Sequence, residues 1–265
     1  MLNSFAMTQS TQIRKCLFCG SPANSREHVF AEWLSKRMAI RNLAFGTATF
    51  TETTGITKRT AMKAEHFKTK QVCKSCNEGW MSALEVWFQK RLGYMIEPNW
   101  PHLSIDMIQC LRDEGESLIR WMIKTAVVFE QVIPERPYQV VPDNVRVMAK
   151  EGVTTKDYVL TLAKISAPGF TAHLAKGFPV WNGGVLYPFL VHRDGFTFAV
   201  YLNHLAIRLV RCPGGSPIFK TPAPLAGCLP ILPLWVSPPI NYLDKVTHAY
   251  PSFEMFMDAL EVKAQ

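Results

Sequence analysis

Two pairs of cysteines are the residues of this chain whose spacing most clearly indicates chemistry. Cys16 and Cys19 form one C-x-x-C pair, with Gly20 directly after it, and Cys73 and Cys76 form the other. Four thiolates are the complement of a tetrahedral structural zinc ion. In a reducing compartment, paired cysteines indicate a metal site before a disulfide. The sequence therefore predicts a structural Zn²⁺ held by all four cysteines.

Three neighbours of these cysteines have side chains suited to the hydrolysis of a phosphodiester. Glu27 and His28 follow the first pair, and Asn77 directly follows Cys76. Carboxylate and amide oxygens are hard ligands suited to Mg²⁺, and an imidazole accepts a proton near neutral pH. We therefore expect His28 to be a general base, and Glu27 and Asn77 to hold a catalytic divalent ion, Mg²⁺ or another. Each has a structural alternative, which for Asn77 is capping the helix that follows.

The segment 16–92 resembles the HNH (His-Me finger, ββα-metal) endonucleases whose zinc is held by four cysteines. The resemblance lies in the motifs C-L-F-C-G, R-E-H-V-F-A-E-W-L and V-C-K-S-C-N-E-G-W-M-S-A-L-E. It implies that His28 is the base, that Glu27 and Asn77 are metal ligands, and that the cysteines hold structural zinc. The chain departs from the family in having Glu where Asp is commoner. The middle Asn of the family motif has no clear counterpart, Asn42 and a residue just before Cys73 being the alternatives.

The positive charge of the chain is concentrated in the segment with the cysteines. Residues 1–98 hold 14 Lys and Arg against 7 Glu and no Asp, and so account for +7 of the net +8. Lys and Arg bind nucleic acids by releasing counterions from phosphates, so nucleic acid, and DNA first, is the expected partner. A solvated basic face is the alternative. The expected phosphate-binding residues are Lys58, Arg59, Lys63, Lys68, Lys70 and Lys74.

The elements that must position these residues are predicted from periodicity and turn signals. Residues 29–39 have apolar positions at helical spacing, and residues 41–65 favour a hairpin or an irregular insertion. A helix with one apolar face is expected directly after Cys76. On that helix we expect Glu85 to be solvated or salt-bridged rather than a further metal ligand.

The chain is predicted to consist of a leader (1–13), an HNH-type zinc module with an insertion (14–97) and a second domain (102–265). The role of the second domain is open between target recognition, oligomerisation and regulation. It should contain a long buried helix within 104–133, then short β-prone runs that include 145–149, and a helix near the end (251–263). The expected fold class is α+β: a ββα-metal (treble-clef-like) zinc module, then a domain with a buried helix and an antiparallel sheet.

These observations predict a metal-dependent endonuclease that hydrolyses phosphodiester bonds of nucleic acid, in the first instance DNA. The resemblance implies a setting in mobile elements or in defence against phages. The alternatives are a catalytically inactive, zinc-containing nucleic-acid-binding protein and a protein-interaction module. No apolar run reaches the roughly 18 residues of a membrane-spanning helix, and the N-terminus has no signal-peptide pattern. We therefore expect a cytoplasmic protein without a membrane partner, either monomeric or homodimeric.

Overall fold

The computed structural model describes most of the N-terminal part of the chain and the central elements of the remainder. The described residues are 14–40, 44–51, 55–98, 109–111, 113–132, 139–176, 180–182, 185–187, 195–211, 228–232 and 262–264. The predicted leader, Asn42 and most of the predicted helix at 251–263 lie outside these ranges.

Two short antiparallel strands follow the first cysteine pair and precede the second. Strand β1 spans Ser25–His28 and strand β4 spans Lys68–Val72. In their register Glu27 lies opposite Thr69 and His28 lies opposite Lys68, with an irregularity between Ser25 and Glu27. The segment with Glu27 and His28 is thus joined by backbone hydrogen bonds to the segment that leads into Cys73.

The chain between these strands forms a helix and a hairpin. Helix α1 spans Glu32–Arg37, and strands β2 (Ala44–Thr51) and β3 (Gly55–Lys63) pair antiparallel. A 3₁₀ turn at Ala64–His66 then leads into β4. Of the two alternatives predicted for residues 41–65, the structure shows the hairpin. It also confirms a helix within residues 29–39, although this helix is shorter than the range with helical spacing.

A helical run with an internal irregularity begins directly after Cys73. It consists of helix α2 (Lys74–Cys76), a π-helical segment (Asn77–Met81) and helix α3 (Ser82–Arg91). Gly79 has a non-helical backbone within the π-helical segment (φ −91°, ψ −113°). The buried residues of the run include Met81, Leu84 and Phe88, which confirms the predicted apolar face. A 3₁₀ turn at Gly93–Ile96 ends this part of the chain.

The second part of the chain contains the helices α4 (Gly115–Val132) and α5 (Asp143–Glu151) and an antiparallel sheet. The sheet has the order β8-β5-β9, in which β5 (Tyr158–Lys176) pairs antiparallel with β8 (Phe196–Arg211) and with β9 (Cys228–Leu232). The fold is therefore α+β, as expected, with the predicted buried helix and antiparallel sheet.

A second, smaller sheet is formed by three-residue strands. Strand β6 (Val180–Asn182) lies between β7 (Val185–Tyr187), to which it is antiparallel, and β10 (Val262–Ala264), to which it is parallel. The last strand brings residues near the C-terminus back against the middle of the chain.

The expectation of a strand at 145–149 was wrong, because α5 covers these residues. Pro142 lies in extended conformation just before the helix, and Asp143 places a carboxylate in its first turn, where it complements the helix dipole. Val145 and Ala149 are both buried, as residues four apart on one helix face should be. Helical burial outweighed the β-branched character of this run.

Both parts of the chain contribute to one hydrophobic core. Phe88 of α3 stacks on Trp121 of α4 with ring centroids 3.9 Å apart and an interplanar angle of 19°. The same cluster extends to Val72 of β4 and Leu209 of β8. The boundary predicted at residues 97–101 thus separates two segments that share a core. Within the described parts of the chain, no helix is long and apolar enough to cross a membrane.

Candidate functional site

The four cysteines of the two C-x-x-C pairs lie together. Their Sγ atoms are all within 4.8 Å of one another, and Sγ of Cys19 lies 3.5 Å from Sγ of Cys73. Tetrahedral zinc with bonds of 2.3 Å separates its sulfur ligands by about 3.8 Å. The cluster can therefore bind one metal ion such as zinc, through Cys16, Cys19, Cys73 and Cys76.

The first pair owes its position to a tight turn that is attached to strand β4. The amide of Gly20 donates to the carbonyl of Cys16 at 3.0 Å, and Gly20 has φ +73°, a conformation that glycine adopts without a steric cost. The amide of Leu17 donates to the carbonyl of Gln71 at 3.0 Å. This bond holds the turn against the residues that lead into Cys73.

The second pair lies in the first turn of the helical run, and its two thiols have different environments. The Ser75 hydroxyl is 3.2 Å from Sγ of Cys73. Burial opposes ionisation, yet hydrogen bonds from Ser75 and from the backbone of Cys76 lower the pKa of Cys73 to about 6. Burial raises the pKa of Cys76 above its usual range. Cys73 is thus available as a thiolate for an incoming metal.

Glu27 contacts a lysine that the sequence had not indicated as part of the site. The ammonium Nζ of Lys124, on helix α4, lies 2.7 Å from Oε1 of Glu27. The Lys124 side chain is fully buried and that of Glu27 is 11% exposed. Glu27 is therefore a buried, ion-paired carboxylate. The signal in the sequence was a lysine flanked by the apolar runs 121–123 and 126–129, because a buried charge requires a partner.

The same ammonium contacts a second carboxylate. Nζ of Lys124 lies 2.6 Å from Oε1 of Glu85 on α3, and the indole of Trp121 donates to that oxygen at 3.0 Å. The indole of Trp33 donates to Oε2 of Glu85 at 3.2 Å. The salt-bridged alternative for Glu85 is confirmed, whereas the two indole donors were not predicted.

His28 occupies the last position of β1, opposite Lys68 of β4. Its imidazole is half-buried, and burial lowers its pKa. Lys68 lowers the pKa of His28 further, while Glu27 acts in the opposite direction. The ring is therefore held towards its neutral form, which has a nitrogen lone pair able to accept a proton.

The side chain of Asn77 binds strand β1. Its Nδ2 donates to the hydroxyl of Ser25 at 2.7 Å and to the carbonyl of Arg26 at 3.1 Å. The helix-capping alternative for Asn77 is wrong, because the helix already begins at Lys74. Both bonds use the amide nitrogen, so the amide oxygen is the atom that remains for a cation.

The structure thus attaches Asn77, from the π-helical segment, to strand β1, which contains Glu27. Among the described residues, the cysteine cluster is the only group of three or more His, Cys, Asp or Glu side chains close enough to hold one ion. In the described ranges, Glu27 and His28 are not joined by a third His, Cys, Asp or Glu side chain close enough to share one ion with them. A second ion at this strand would depend on Glu27 and on the amide oxygen of Asn77.

The predicted phosphate-binding residues lie on β3, on β4 and at the start of α2. Lys58 and Arg59 occupy β3 positions opposite Thr49 and Ala48. Lys74 is exposed and lies 3.8 Å from Glu78. The exposed basic residues on or next to the β1–β4 pair are Arg26, Lys63, Lys68, Lys70 and Lys74.

Comparisons with protein-family models, with curated proteins and with solved structures find no match to this chain. The resemblance to HNH endonucleases therefore rests on the motif residues themselves.

Proposed function

We propose that this protein is a metal-dependent endonuclease of the HNH type that hydrolyses phosphodiester bonds of nucleic acid, with DNA as the first candidate substrate. The observation that supports this most is the attachment of Asn77 to Ser25 and Arg26 of β1, the two residues that directly precede Glu27 and His28 in that strand. A turn bearing two cysteines, two antiparallel strands and a helix that starts at two further cysteines is the order of elements in a ββα-metal module.

Each residue has a defined part in this proposal. His28 accepts a proton from the attacking water through the unprotonated nitrogen of its neutral imidazole. Glu27 and Asn77 hold a divalent ion such as Mg²⁺ through hard oxygen atoms. Such an ion would neutralise the negative charge that develops on the phosphate during hydrolysis. The zinc at the four cysteines is structural, because four thiolates leave it no open position.

The basic surface beside His28 supports nucleic acid as the substrate. Lys68 lies directly opposite His28, and Lys70 is exposed on the same strand. On the neighbouring strand Arg26 is exposed as well. Cationic side chains next to the proposed base would bind the phosphate backbone and set the position of the scissile bond.

The test is cleavage by zinc-loaded, full-length protein. Supercoiled, single-stranded and branched DNA and RNA are incubated with Mg²⁺, Mn²⁺ or Ni²⁺. We expect cleavage of at least one substrate, and we expect His28→Ala to lower its rate by about 10² or more with zinc content unchanged. The exposed His66 provides the control substitution, His66→Ala. Absence of cleavage on every substrate, or an unchanged rate in His28→Ala, would rule the proposal out.

A second candidate function is nucleic-acid binding without catalysis, and the contact between Lys124 and Glu27 favours it. An ammonium at 2.7 Å already offsets part of the charge of the carboxylate that would hold the divalent ion. Under this alternative the protein binds nucleic acid with a strong dependence on salt concentration and cleaves none of it. Binding measured between 50 and 200 mM salt (roughly the range over which phosphate contacts weaken), beside the cleavage assay, separates the two functions.

A further inference from the structure

The ammonium of Lys124 occupies a position between two carboxylates that would otherwise attract a cation. Nζ lies 2.7 Å from Oε1 of Glu27 and 2.6 Å from Oε1 of Glu85, and Lys124 is fully buried. The three residues come from β1, α4 and α3. A contact of this kind fixes the relative positions of the three elements and also determines the charge around Glu27.

Glu85 holds the ammonium in place and takes no further ligand. Its Oε1 accepts from Lys124 and from Trp121, and its Oε2 accepts from Trp33. Both oxygens are thus engaged by rigid or buried donors. Glu27 differs, because Oε1 is the oxygen that contacts Lys124 and Oε2 is the oxygen left for another cation.

The two carboxylates favour the charged form of the buried Lys124. Burial alone would lower the pKa of Lys124, but the carboxylates of Glu85 and Glu27 raise it above its usual range. Two carboxylates and one ammonium leave a net charge of −1 in a buried environment, where charge interactions are stronger than in water. The ammonium therefore weakens, without cancelling, the attraction of Glu27 for a second cation.

We infer that Lys124 is a positioning residue for Glu27: it occupies Oε1 as an internal cation and limits Glu27 to a single oxygen for a divalent ion. This inference rests on the proposed function, in which Glu27 holds that ion. The consequence is weak binding of the divalent ion by the free protein. The bound nucleic acid then supplies the further oxygen ligands from its phosphate.

The test is a titration of zinc-loaded, full-length protein with Mn²⁺, in which free Mn²⁺ is measured by electron paramagnetic resonance. We expect Lys124→Met to bind Mn²⁺ at least about tenfold more tightly than the wild type, because a nearby positive charge is removed. Lys124→Arg keeps a cation next to Glu27 and should bind as the wild type does. Lys90→Met removes an exposed lysine and controls for the loss of charge alone.

Two double variants keep the test decisive. Lys124→Met with Glu85→Gln retains the net charge of −1, which protects the fold, and should also show the gain in Mn²⁺ affinity. Lys124→Met with Glu27→Gln should lose that gain. Zinc content and circular dichroism identify the folded protein. The inference is overturned if the folded Lys124→Met and Lys124→Met/Glu85→Gln proteins bind Mn²⁺ as the wild type does.

The outcome is distinguishable from failure of the proposed function. If the wild type cleaves no nucleic acid while both Lys124→Met proteins gain Mn²⁺ affinity, the nuclease proposal fails and the role of Lys124 at Glu27 stands. If the wild type cleaves and the Lys124 variants show unchanged Mn²⁺ affinity, the nuclease proposal stands and the inference about Lys124 fails.

Discussion

The side-chain amide of Asn77 donates a hydrogen bond of 2.7 Å to the hydroxyl of Ser25. This bond connects the residue after Cys76 to the first residue of β1, the strand that contains Glu27 and His28. It couples the cysteine cluster to the proposed catalytic strand through side chains, in addition to the ladder between β1 and β4.

Removal of this bond should destabilise the protein by a measurable coupling energy. A double-mutant cycle of Ser25→Ala and Asn77→Ala, followed by urea unfolding, should give a coupling of about 1 kcal/mol, the usual net value of a hydrogen bond. Ser82→Ala, an exposed serine on α3, is the control. A coupling near zero would contradict the contact.

The cysteine cluster should hold one zinc ion per chain. Cys73→Ser and Cys16→Ser should each lose most of the bound zinc and lower the melting temperature, because a structural metal stabilises the folded state directly. Cys110→Ser, at a cysteine outside the cluster, should retain full zinc content. Elemental analysis by mass spectrometry checks this, and equal zinc content in all three variants would contradict it.

The turn at Gly20 should tolerate only residues that accept a positive φ. With φ +73° at this position, Gly20→Ala should cost about 1–2 kcal/mol of unfolding free energy. Gly20→Asn should cost less, since Asn adopts the left-handed conformation more readily. Both are measured by chemical denaturation of the zinc-loaded protein. If Gly20→Asn proves as costly as Gly20→Ala, then backbone strain is not the reason for glycine here.

The exposed lysines of β4 should contribute to nucleic-acid affinity without sequence preference. Lys68→Gln and Lys70→Gln should each weaken binding and reduce the slope of log K against log salt by about 1, as expected for the loss of one phosphate contact. Lys90→Gln, near the end of α3, should leave the slope unchanged. Fluorescence anisotropy at several salt concentrations measures all three.

The buried ion pair between α4 and α5 should be far more sensitive than an exposed pair. Arg146 Nη2 lies 2.6 Å from Oε2 of the buried Glu130, so Arg146→Met should cost about 3–5 kcal/mol by removing the cation that compensates a buried charge. Lys36 and Glu32 form an exposed pair at 3.0 Å, and Lys36→Met should cost about 0–1 kcal/mol. Similar costs for both variants, measured by urea unfolding, would contradict the burial of Glu130.

Several local features were predictable because short-range chemistry decides them. A C-x-x-C pair followed by glycine specifies a tight turn that presents two thiols. An apolar face at helical spacing predicts the helix after Cys76, which in the structure begins three residues earlier, at Lys74. The prediction of a strand at 145–149 was wrong because it relied on local preference alone. Val145 and Val147 favour a strand locally, but packing of α5 against α4 decided the outcome.

In the candidate site, too, some residues were predictable from the sequence, and some contacts depended on tertiary packing. The nature and spacing of Cys16, Cys19, Cys73 and Cys76 were enough to predict the cysteine cluster from the sequence alone, since each C-x-x-C turn presents two thiols together. Apolar residues flank Lys124 in the sequence, and a charge buried among them requires a partner. Only the tertiary structure decided that its partners are Glu27 and Glu85, because a buried charge pairs with whichever carboxylates the packing of distant elements brings within contact.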